Sequence, residues 1–298
     1  MAENKARQPV LHVHDPCTQK KLALHYLSRD ANIHSMNKTQ TGIMESALSE
    51  PQLQQFETDG FLVFRKLLEP AACEHMLTVA GKQLQAALPP LEYEAELGYV
   101  GAPASLDAEG GKTVRRLRGA YDRDTCFRNW AQDARVLTPL RQLLKEAVCL
   151  TLAHHNCVMT KHPQYGTATG WHRDIRYWSF TQPDLICVWL ALGNETANNG
   201  GLKFIPGSHR LHIASEQLDE LDFLRPEHPA NQAIFAQGKA VELQQGDVVF
   251  FHSRLFHAAG VNATPAVKTS LAFAYHGCSN QAVAGSRSAA SPDVRLTD

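Results

Sequence analysis

The spacing of apolar residues divides the chain into a helical first part and a β-rich second part. After Pro70, apolar side chains recur at helical spacing, which predicts an amphipathic helix that Pro89-Pro90 ends. From Leu150 onward the apolar segments are short, rich in β-branched and aromatic residues, and separated by turn residues. The predicted strands are 150–160, 174–180, 185–192, 202–205, 240–243, 247–251, 256–260 and 268–276. Many short strands after a helical part predict a mainly β fold, a sandwich or jelly roll with the N-terminal helices packed on one sheet.

The two ends of the chain lack this pattern. Residues 1–48 are polar and show no sustained period, which predicts a flexible N-terminal extension. Residues 279–298 are small and polar, which predicts a disordered tail. The interval between them, 49–278, is predicted to form a single domain.

The last predicted strand has two different faces. One face carries small or polar side chains with a single cation, and the other carries larger, mostly apolar ones. The first face comprises Lys268, Ser270, Ala272 and Ala274, and the second comprises Thr269, Leu271, Phe273 and Tyr275. The first face suits a cavity wall in which Lys268 holds a carboxylate, and the second suits packing against helices.

Composition narrows the class of protein. The chain has 298 residues, 44% of them apolar, and a net charge of −1, which is typical of a globular protein and argues against a general nucleic-acid binder. No apolar run approaches the roughly 18 residues that span a membrane, and the N-terminus lacks the apolar core of a secretory signal. The seven cysteines are scattered without a CxxC, which predicts free thiols in a reducing compartment, hence the cytoplasm.

Candidate metal ligands lie in the segment 170–174, Gly-Trp-His-Arg-Asp. On a strand, residues two apart point to the same face, so His172 and Asp174 can bind one ion. His257 follows 85 residues after His172, and its neighbours Ala-Ala-Gly leave room for a ligand, which favours it over the rival His252. Two histidines and one carboxylate are typical of non-haem Fe(II) oxygenases.

Two further stretches bear on substrate binding. Residues 98–112 are rich in glycine and small residues, which predicts a mobile loop, and the long interval 211–239 is predicted to be a lid. A basic cluster overlaps and follows the first loop. It consists of Lys112, Arg115, Arg116 and Arg118. Such a cluster is either a solvated surface or a binding site for an anionic group of the substrate.

Three segments together resemble the phytanoyl-CoA dioxygenase family of Fe(II)- and 2-oxoglutarate-dependent oxygenases. They are 171–180 (WHRDIRYWSF), 199–209 (NGGLKFIPGSH) and 257–262 (HAAGVN), and 55–61 (QFETDGF) is similar to the opening of the family's domain. The resemblance covers roughly residues 50–276. It implies a double-stranded β-helix, also called a jelly roll, with iron bound by His172, Asp174 and His257.

The resemblance also implies a site for 2-oxoglutarate. It places this cosubstrate near Trp189, Cys157 and Lys268. The family usually has arginine where this chain has Lys268, and lysine keeps the charge but loses the bidentate fork. Either Lys268 binds the distal carboxylate as a point charge, or another cation such as Arg118 or Arg254 does.

The reaction that the resemblance implies is hydroxylation of an unactivated C–H bond of a small molecule. O2 and 2-oxoglutarate are consumed, succinate and CO2 are released, and ascorbate is a supporting reductant. The carboxylate at Asp174 disfavours a halogenase, in which a small residue stands at this position. Two alternatives stay open: a metal-dependent hydrolase or isomerase that uses the same ligands with zinc, and a catalytically silent jelly-roll binding protein.

Overall fold

The computed structural model describes residues 47–297, so the predicted N-terminal extension lies outside the described residues apart from its last two positions. The described residues form one compact unit. Its strands form one large and one small antiparallel sheet. This is the mainly β jelly-roll architecture that the apolar pattern predicted.

Helices dominate the first part of the unit and strands the second. The helices are α1 Glu50–Asp59, α2 Pro70–Gln85, α3 Ala120–Arg123, α4 Thr125–Ala131, α5 Ala134–Leu144 and α6 Pro229–Phe235. The strands are β1 Phe61–Phe64, β2 Leu91–Tyr93, β3 Val114–Arg118, β4 Val148–Lys161, β5 Thr169–His172, β6 Leu185–Ala191, β7 Leu202–Phe204, β8 Lys239–Ala240, β9 Val248–His252, β10 His257–Ala259, β11 Lys268–Gly277 and β12 Val294–Leu296.

Eight strands form the large sheet and four form the small one. The order in the large sheet is β1-β9-β6-β11-β4-β3-β2, with β12 also paired to β4. The order in the small sheet is β5-β10-β7-β8. Because β5 and β10 are neighbours, the candidate ligands His172 and His257 are brought to one place despite their separation in sequence.

The helices that precede the sheets begin and end at the positions that the sequence marks. The Gln52 side chain accepts a hydrogen bond from the Ser49 backbone N–H at 3.0 Å, and α1 ends at Gly60 in the left-handed conformation with φ 81°. Helix α2 begins at Pro70 and buries the face that carries Cys73 and Met76. None of the helices within residues 47–297 is long and apolar enough to cross a membrane.

Alternation along β11 separates two apolar layers, as the sequence predicted. Leu271 and Phe273 pack with the helices in the larger buried cluster. Ala272 and Ala274 pack between the two sheets in the second cluster, together with residues of β6 and β9. The small side chains between the sheets leave space at the end of the sandwich where Lys268 lies, and this space is the cavity described below.

Two predictions about local structure are wrong. Residues 174–180 were predicted as a strand, but β5 ends at His172 and Asp174–Tyr177 is a 3-10 turn. The tail 279–298 was predicted to be disordered, but Val294–Leu296 forms β12 against β4. Leu296 is only 5% exposed because it packs into the large apolar cluster, a long-range contact that composition does not reveal.

The prediction that all cysteines are free thiols is also wrong. Cys149 and Cys278 form a disulfide with their Cα atoms 5.2 Å apart. Cys149 is in β4 opposite His276 of β11, and Cys278 directly follows β11, so strand pairing brings the two thiols together. The described cysteines without a disulfide are Cys73, Cys126, Cys157 and Cys187.

Candidate metal and cosubstrate site

The ends of two neighbouring strands position the candidate metal ligands. His172 is the last residue of β5 and His257 the first residue of β10, and they are direct register partners. Asp174 opens the 3-10 turn that follows β5. All three side chains are buried. The turn, rather than the continuous strand that the sequence predicted, directs Asp174 toward the two histidines.

The three side chains converge on one point. His172 Nε2 lies 3.5 Å from Asp174 Oδ1, and His257 Nε2 lies 3.4 Å from the same oxygen. Atoms that can act as ligands, one from each residue, all lie within 4.8 Å of one another. The structure therefore groups the residues as a two-histidine, one-carboxylate site requires.

Hydrogen bonds orient both imidazoles for metal binding. Nδ1 of His172 lies 2.9 Å from the Gly170 carbonyl, and Nδ1 of His257 lies 3.0 Å from the Leu255 carbonyl. A carbonyl only accepts, so Nδ1 of each ring carries the proton and Nε2 presents its lone pair to the site. Asp174 Oδ1 is buried and has no hydrogen-bond partner among the described residues, and a cation at this point would satisfy this oxygen.

The charges of the site also suit a cation. Burial raises the pKa of Asp174, but His257 and His155 outweigh it and hold that pKa well below its usual range, so the carboxylate is ionised. Burial lowers the pKa of His172 to about 4, so its imidazole is neutral. Burial lowers the pKa of His257, but Asp174 outweighs it and raises that pKa, so a metal competes with a proton there.

Two further buried groups contact Asp174. The Cys187 thiol donates to Asp174 Oδ2 at 3.4 Å, and His155 Nε2 lies 3.5 Å from Oδ1. His155 follows His154, whose φ of 65° belongs to an irregularity in the pairing of β4 with β11. Cys187 and Trp189 are two residues apart on β6, so both side chains lie on the inner face of the large sheet. This spacing is the sequence signal that points to Cys187.

A cavity adjoins the metal ligands between the two sheets. Its walls include four cations, an aromatic side chain and small residues of β10. The cations are Arg115, Arg116, Lys161 and Lys268. The predicted cosubstrate residues Lys268 and Trp189 both line this cavity.

Lys268 already has an anionic partner in the cavity wall. Its Nζ lies 3.1 Å from Glu195 Oε2 and 5.0 Å from the centre of the Trp189 ring. Trp189 Nε1 donates to Glu195 Oε1 at 3.0 Å, and the Ser270 hydroxyl donates to the same oxygen at 2.5 Å. The sequence analysis missed Glu195, which is fully buried.

The other predicted cosubstrate residues lie outside the cavity wall. Cys157 is fully buried in β4 with its Sγ 3.4 Å from the Sδ of Met159, a side chain that does line the cavity. Arg118 is exposed at the end of β3, and Arg254 lines a separate surface groove. The structure therefore places neither Arg118 nor Arg254, the two alternative cations in the sequence, in the wall of this cavity.

The basic cluster divides into buried and exposed members. Arg115 and Arg116 are buried and paired with glutamates of the preceding segment, whereas Lys112 and Arg118 are exposed. Arg115 Nη2 also donates to Thr169 Oγ1 at 2.7 Å, at the start of β5. The cluster is therefore not one solvated surface, and its buried member Arg115 supports the strand that carries His172.

Arg176 contacts both the predicted mobile loop 98–112 and the predicted lid 211–239, beside His172. Its guanidinium lies 4.3 Å from the ring centre of Phe223, in the segment 211–239. It donates to the hydroxyl groups of Tyr99, in the glycine-rich loop, and Tyr177, both at 3.1 Å. The Phe223 ring centre in turn lies 5.4 Å from that of His172. This Arg176 cluster forms one side of the candidate metal site.

A jelly roll with two histidines and one carboxylate at adjoining strand ends is typical of the non-haem iron oxygenases. The family model described as phytanoyl-CoA dioxygenase (PhyH) matches residues 56–270. The chain therefore belongs to the phytanoyl-CoA dioxygenase family, which confirms the resemblance that the motifs carried.

Curated relatives match most of the chain. The human peroxisomal phytanoyl-CoA dioxygenase is 26% identical over 235 residues, which are 74% of this chain but only 65% of the human protein. The ectoine dioxygenase of Bordetella bronchiseptica is 24% identical over 257 residues, or 80% of this chain and 79% of that protein. This chain thus spans less than two thirds of the human relative.

Solved structures confirm the fold. EctD from S. alaskensis, in its structure with 2-oxoglutarate and 5-hydroxyectoine, superposes with a TM-score of 0.66 at 22% identity and covers 82% of this chain and 80% of that one. SnoN, described as a non-heme alpha ketoglutarate dependent epimerase, has a TM-score of 0.64 at 19% identity and covers 80% and 87% of the two chains. At these identities the likeness establishes the fold and not the reaction.

Proposed function

We propose that the protein is an Fe(II)- and 2-oxoglutarate-dependent dioxygenase that hydroxylates a C–H bond of a small-molecule substrate. The observation that carries the proposal is the buried, unpartnered Asp174 Oδ1 with His172 Nε2 and His257 Nε2 at 3.5 and 3.4 Å. Membership of the family supports it. The two curated relatives named above are both dioxygenases, which supports neither a zinc-dependent hydrolase or isomerase nor a silent binding protein.

In this proposal His172, Asp174 and His257 hold the iron. Iron held in this way, with 2-oxoglutarate and O2, supplies the oxidising power to convert C–H to C–OH as 2-oxoglutarate becomes succinate and CO2, and ascorbate keeps the metal reduced. The protein's own contribution is orientation. The Gly170 and Leu255 carbonyls fix the two imidazoles, and the Cys187 thiol fixes the carboxylate.

The cavity beside the ligands is proposed to hold 2-oxoglutarate. Its apolar walls, which include Leu202 and Phe251, exclude water and strengthen the attraction between the cavity cations and the cosubstrate's carboxylates. Trp189 closes one side, with its indole held by Glu195.

Arg176 is proposed to bind an anionic group of the substrate. The sequence allows the basic cluster to be either a solvated surface or the site for this group, but its two buried arginines are already neutralised by glutamates. Arg176 forms no ion pair with any carboxylate within residues 47–297, and its side chain lies between aromatic rings beside His172. An acid bound there lies next to the metal ligands.

Arg176→Met is expected to raise the half-maximal concentration of an acidic substrate by tenfold or more, since a hydrogen bond to a charged group contributes about 1.5–3 kcal/mol. The measurement is succinate release stimulated by the best acid from a screen. Arg295→Met is the matched control, because Arg295 is exposed on β12. Equal stimulation of Arg176→Met and the unchanged protein would remove Arg176 from the substrate site.

The proposed reaction is tested by succinate formation with Fe(II), ascorbate, 2-oxoglutarate and O2. Candidate acids, acyl-CoA esters and amino acids are screened for enhanced release, with product analysis for a new hydroxyl group. If the protein neither binds 2-oxoglutarate nor forms succinate with any candidate, the proposal fails. Turnover with zinc in the absence of O2 would favour the hydrolase or isomerase.

We propose a cytoplasmic location separately from the reaction. The sequence supports this location because its scattered cysteines predict free thiols. The Cys149–Cys278 disulfide weakens this support, since disulfides are rare in reducing compartments. Cell fractionation combined with thiol labelling of the native protein measures both the compartment and the state of this pair.

A further inference from the structure

Three of the four cations that line the cavity already have a carboxylate partner. The pairs are Arg115 with Glu94 at 3.1 Å, Arg116 with Glu92 at 2.7 Å, and Lys268 with Glu195 at 3.1 Å. Each pair is close to neutral, so none of these cations adds a full positive charge to the cavity. The fourth cation, Lys161, differs from them.

Among the described residues, the partners that hold Lys161 Nζ are two backbone carbonyls. Its Nζ donates to the carbonyls of Gly260 at 2.8 Å and Thr167 at 3.0 Å. An ammonium group has three N–H donors, so one donor remains for a ligand. The residue is only 6% exposed, and no carboxylate within residues 47–297 forms an ion pair with it. Lys161 therefore brings to a buried cavity an ammonium group that no carboxylate within residues 47–297 contacts directly.

The fold places Lys161 beside the position where the family's cation is expected. Lys161 of β4 and Lys268 of β11 are direct register partners. The Lys161 stem passes over Gly200, where a Cβ atom would lie 2.4 Å from Lys161 Cδ. The Asn-Gly turn that contains Gly200, with its φ of 76°, thus leaves the space through which the Lys161 side chain reaches the cavity.

The positive charge that Lys161 adds to the cavity fits a dicarboxylate ligand. One carboxylate of 2-oxoglutarate belongs with the metal, and the distal one needs a cation at the other end of the cavity. Burial, together with Arg115 and Lys268 nearby, holds the pKa of the Lys161 ammonium well below its usual range. A carboxylate bound beside it relieves this unfavourable burial, and the gain contributes to binding.

We propose that Lys161 supplies the charge that binds the distal carboxylate of 2-oxoglutarate, and that Lys268 instead positions Glu195 and Trp189. This inference rests on the proposed function, because it names the residue that selects the cosubstrate. It explains how a chain with lysine in place of the family's usual arginine still binds a dicarboxylic oxo acid.

The test compares two oxo acids on the metal-loaded protein without O2. 2-Oxoglutarate and 2-oxopentanoate have the same length, but the second ends in a methyl group where the first has its distal carboxylate. Calorimetric titration of protein loaded with Mn(II) gives both dissociation constants. Lys161→Met is expected to weaken 2-oxoglutarate binding by about tenfold to a hundredfold, the range for a hydrogen bond to a charged group, and to leave 2-oxopentanoate binding nearly unchanged.

Matched variants separate the two lysines. Lys203→Met removes an exposed lysine from β7 and is expected to bind both oxo acids like the unchanged protein. The double variant Lys268→Met/Glu195→Gln removes the buried pair without changing the net charge, and is expected to retain the preference for 2-oxoglutarate. This variant keeps the inference testable even where Lys161→Met does not fold.

The outcomes are distinguishable. Loss of the preference in Lys161→Met, with the preference retained in the double variant, supports the inference. An unchanged preference in Lys161→Met overturns it. Loss of the preference in the double variant also overturns it, and assigns the distal carboxylate to Lys268. If the unchanged, Mn(II)-loaded protein binds neither oxo acid, the proposed function itself fails.

Discussion

His172→Ala is expected to abolish Fe(II) binding and with it the formation of succinate. The variant removes one of the three side chains that group at the site. Changes to groups that only orient a ligand cost about 10- to 100-fold in metal affinity, so loss of the ligand itself costs more. Equilibrium dialysis against Fe(II) under argon measures the binding directly.

His252→Ala is the matched control for this prediction. His252 was the rival ligand in the sequence, but it lies at the end of β9 with its Nε2 3.3 Å from Asp184 Oδ1. Its removal is expected to leave Fe(II) binding intact. Retained binding in His172→Ala, or lost binding in His252→Ala, would contradict the ligand assignment.

Arg115→Met is expected to lower the free energy of unfolding by about 3–5 kcal/mol, the cost of removing one partner of a buried ion pair. Glu94 is fully buried and would be left as an unpaired charge 3.1 Å from the missing guanidinium. The variant also loses the hydrogen bond to Thr169 at the start of β5, so the metal site is expected to loosen. Urea denaturation measures the loss.

Two variants show whether the loss belongs to the pair. Arg115→Met/Glu94→Leu removes both charges and is expected to recover much of the stability, since an apolar pair of similar volume often replaces a buried ion pair at little cost. Arg118→Met removes an exposed member of the same basic cluster and is expected to change stability by less than about 0.5 kcal/mol. Equal losses in Arg115→Met and Arg118→Met would show that burial does not matter here.

Arg115 is buried and Arg118 is exposed, although both belong to the same basic cluster. This difference limits what a pattern of charges in the sequence can predict. In sequence they belong to one run of cations after a glycine-rich loop. In the structure β3 pairs with β2, which carries Glu92, and Glu94 directly follows β2, so two glutamates from the preceding segment neutralise the two buried arginines. A run of like charges reveals its role only when the partners that the fold supplies are known.

The turn at Asp174 is a second place where the sequence pointed to residues that lie together in the structure, but by an incomplete argument. The spacing of two predicted ligands on one strand assumed alternating side chains. The chain instead leaves β5 at His172 and turns, with the Ile175 backbone N–H bonded to the Ser253 carbonyl at 2.9 Å. That long-range hydrogen bond aims the carboxylate, and no local pattern contains it.

The sequence by itself determined the features that depend on residue type and short-range period. These are the jelly-roll class, the alternation of β11 that separates cavity from core, and the family to which the chain belongs. The tertiary structure alone decided the features that depend on partners far apart in the chain. Strand pairing closed the Cys149–Cys278 disulfide and placed β12. It also set Glu195 against Lys268, while no carboxylate within residues 47–297 forms an ion pair with Lys161. The physical reason is that a buried charge or thiol acts according to its neighbours, which only the fold selects.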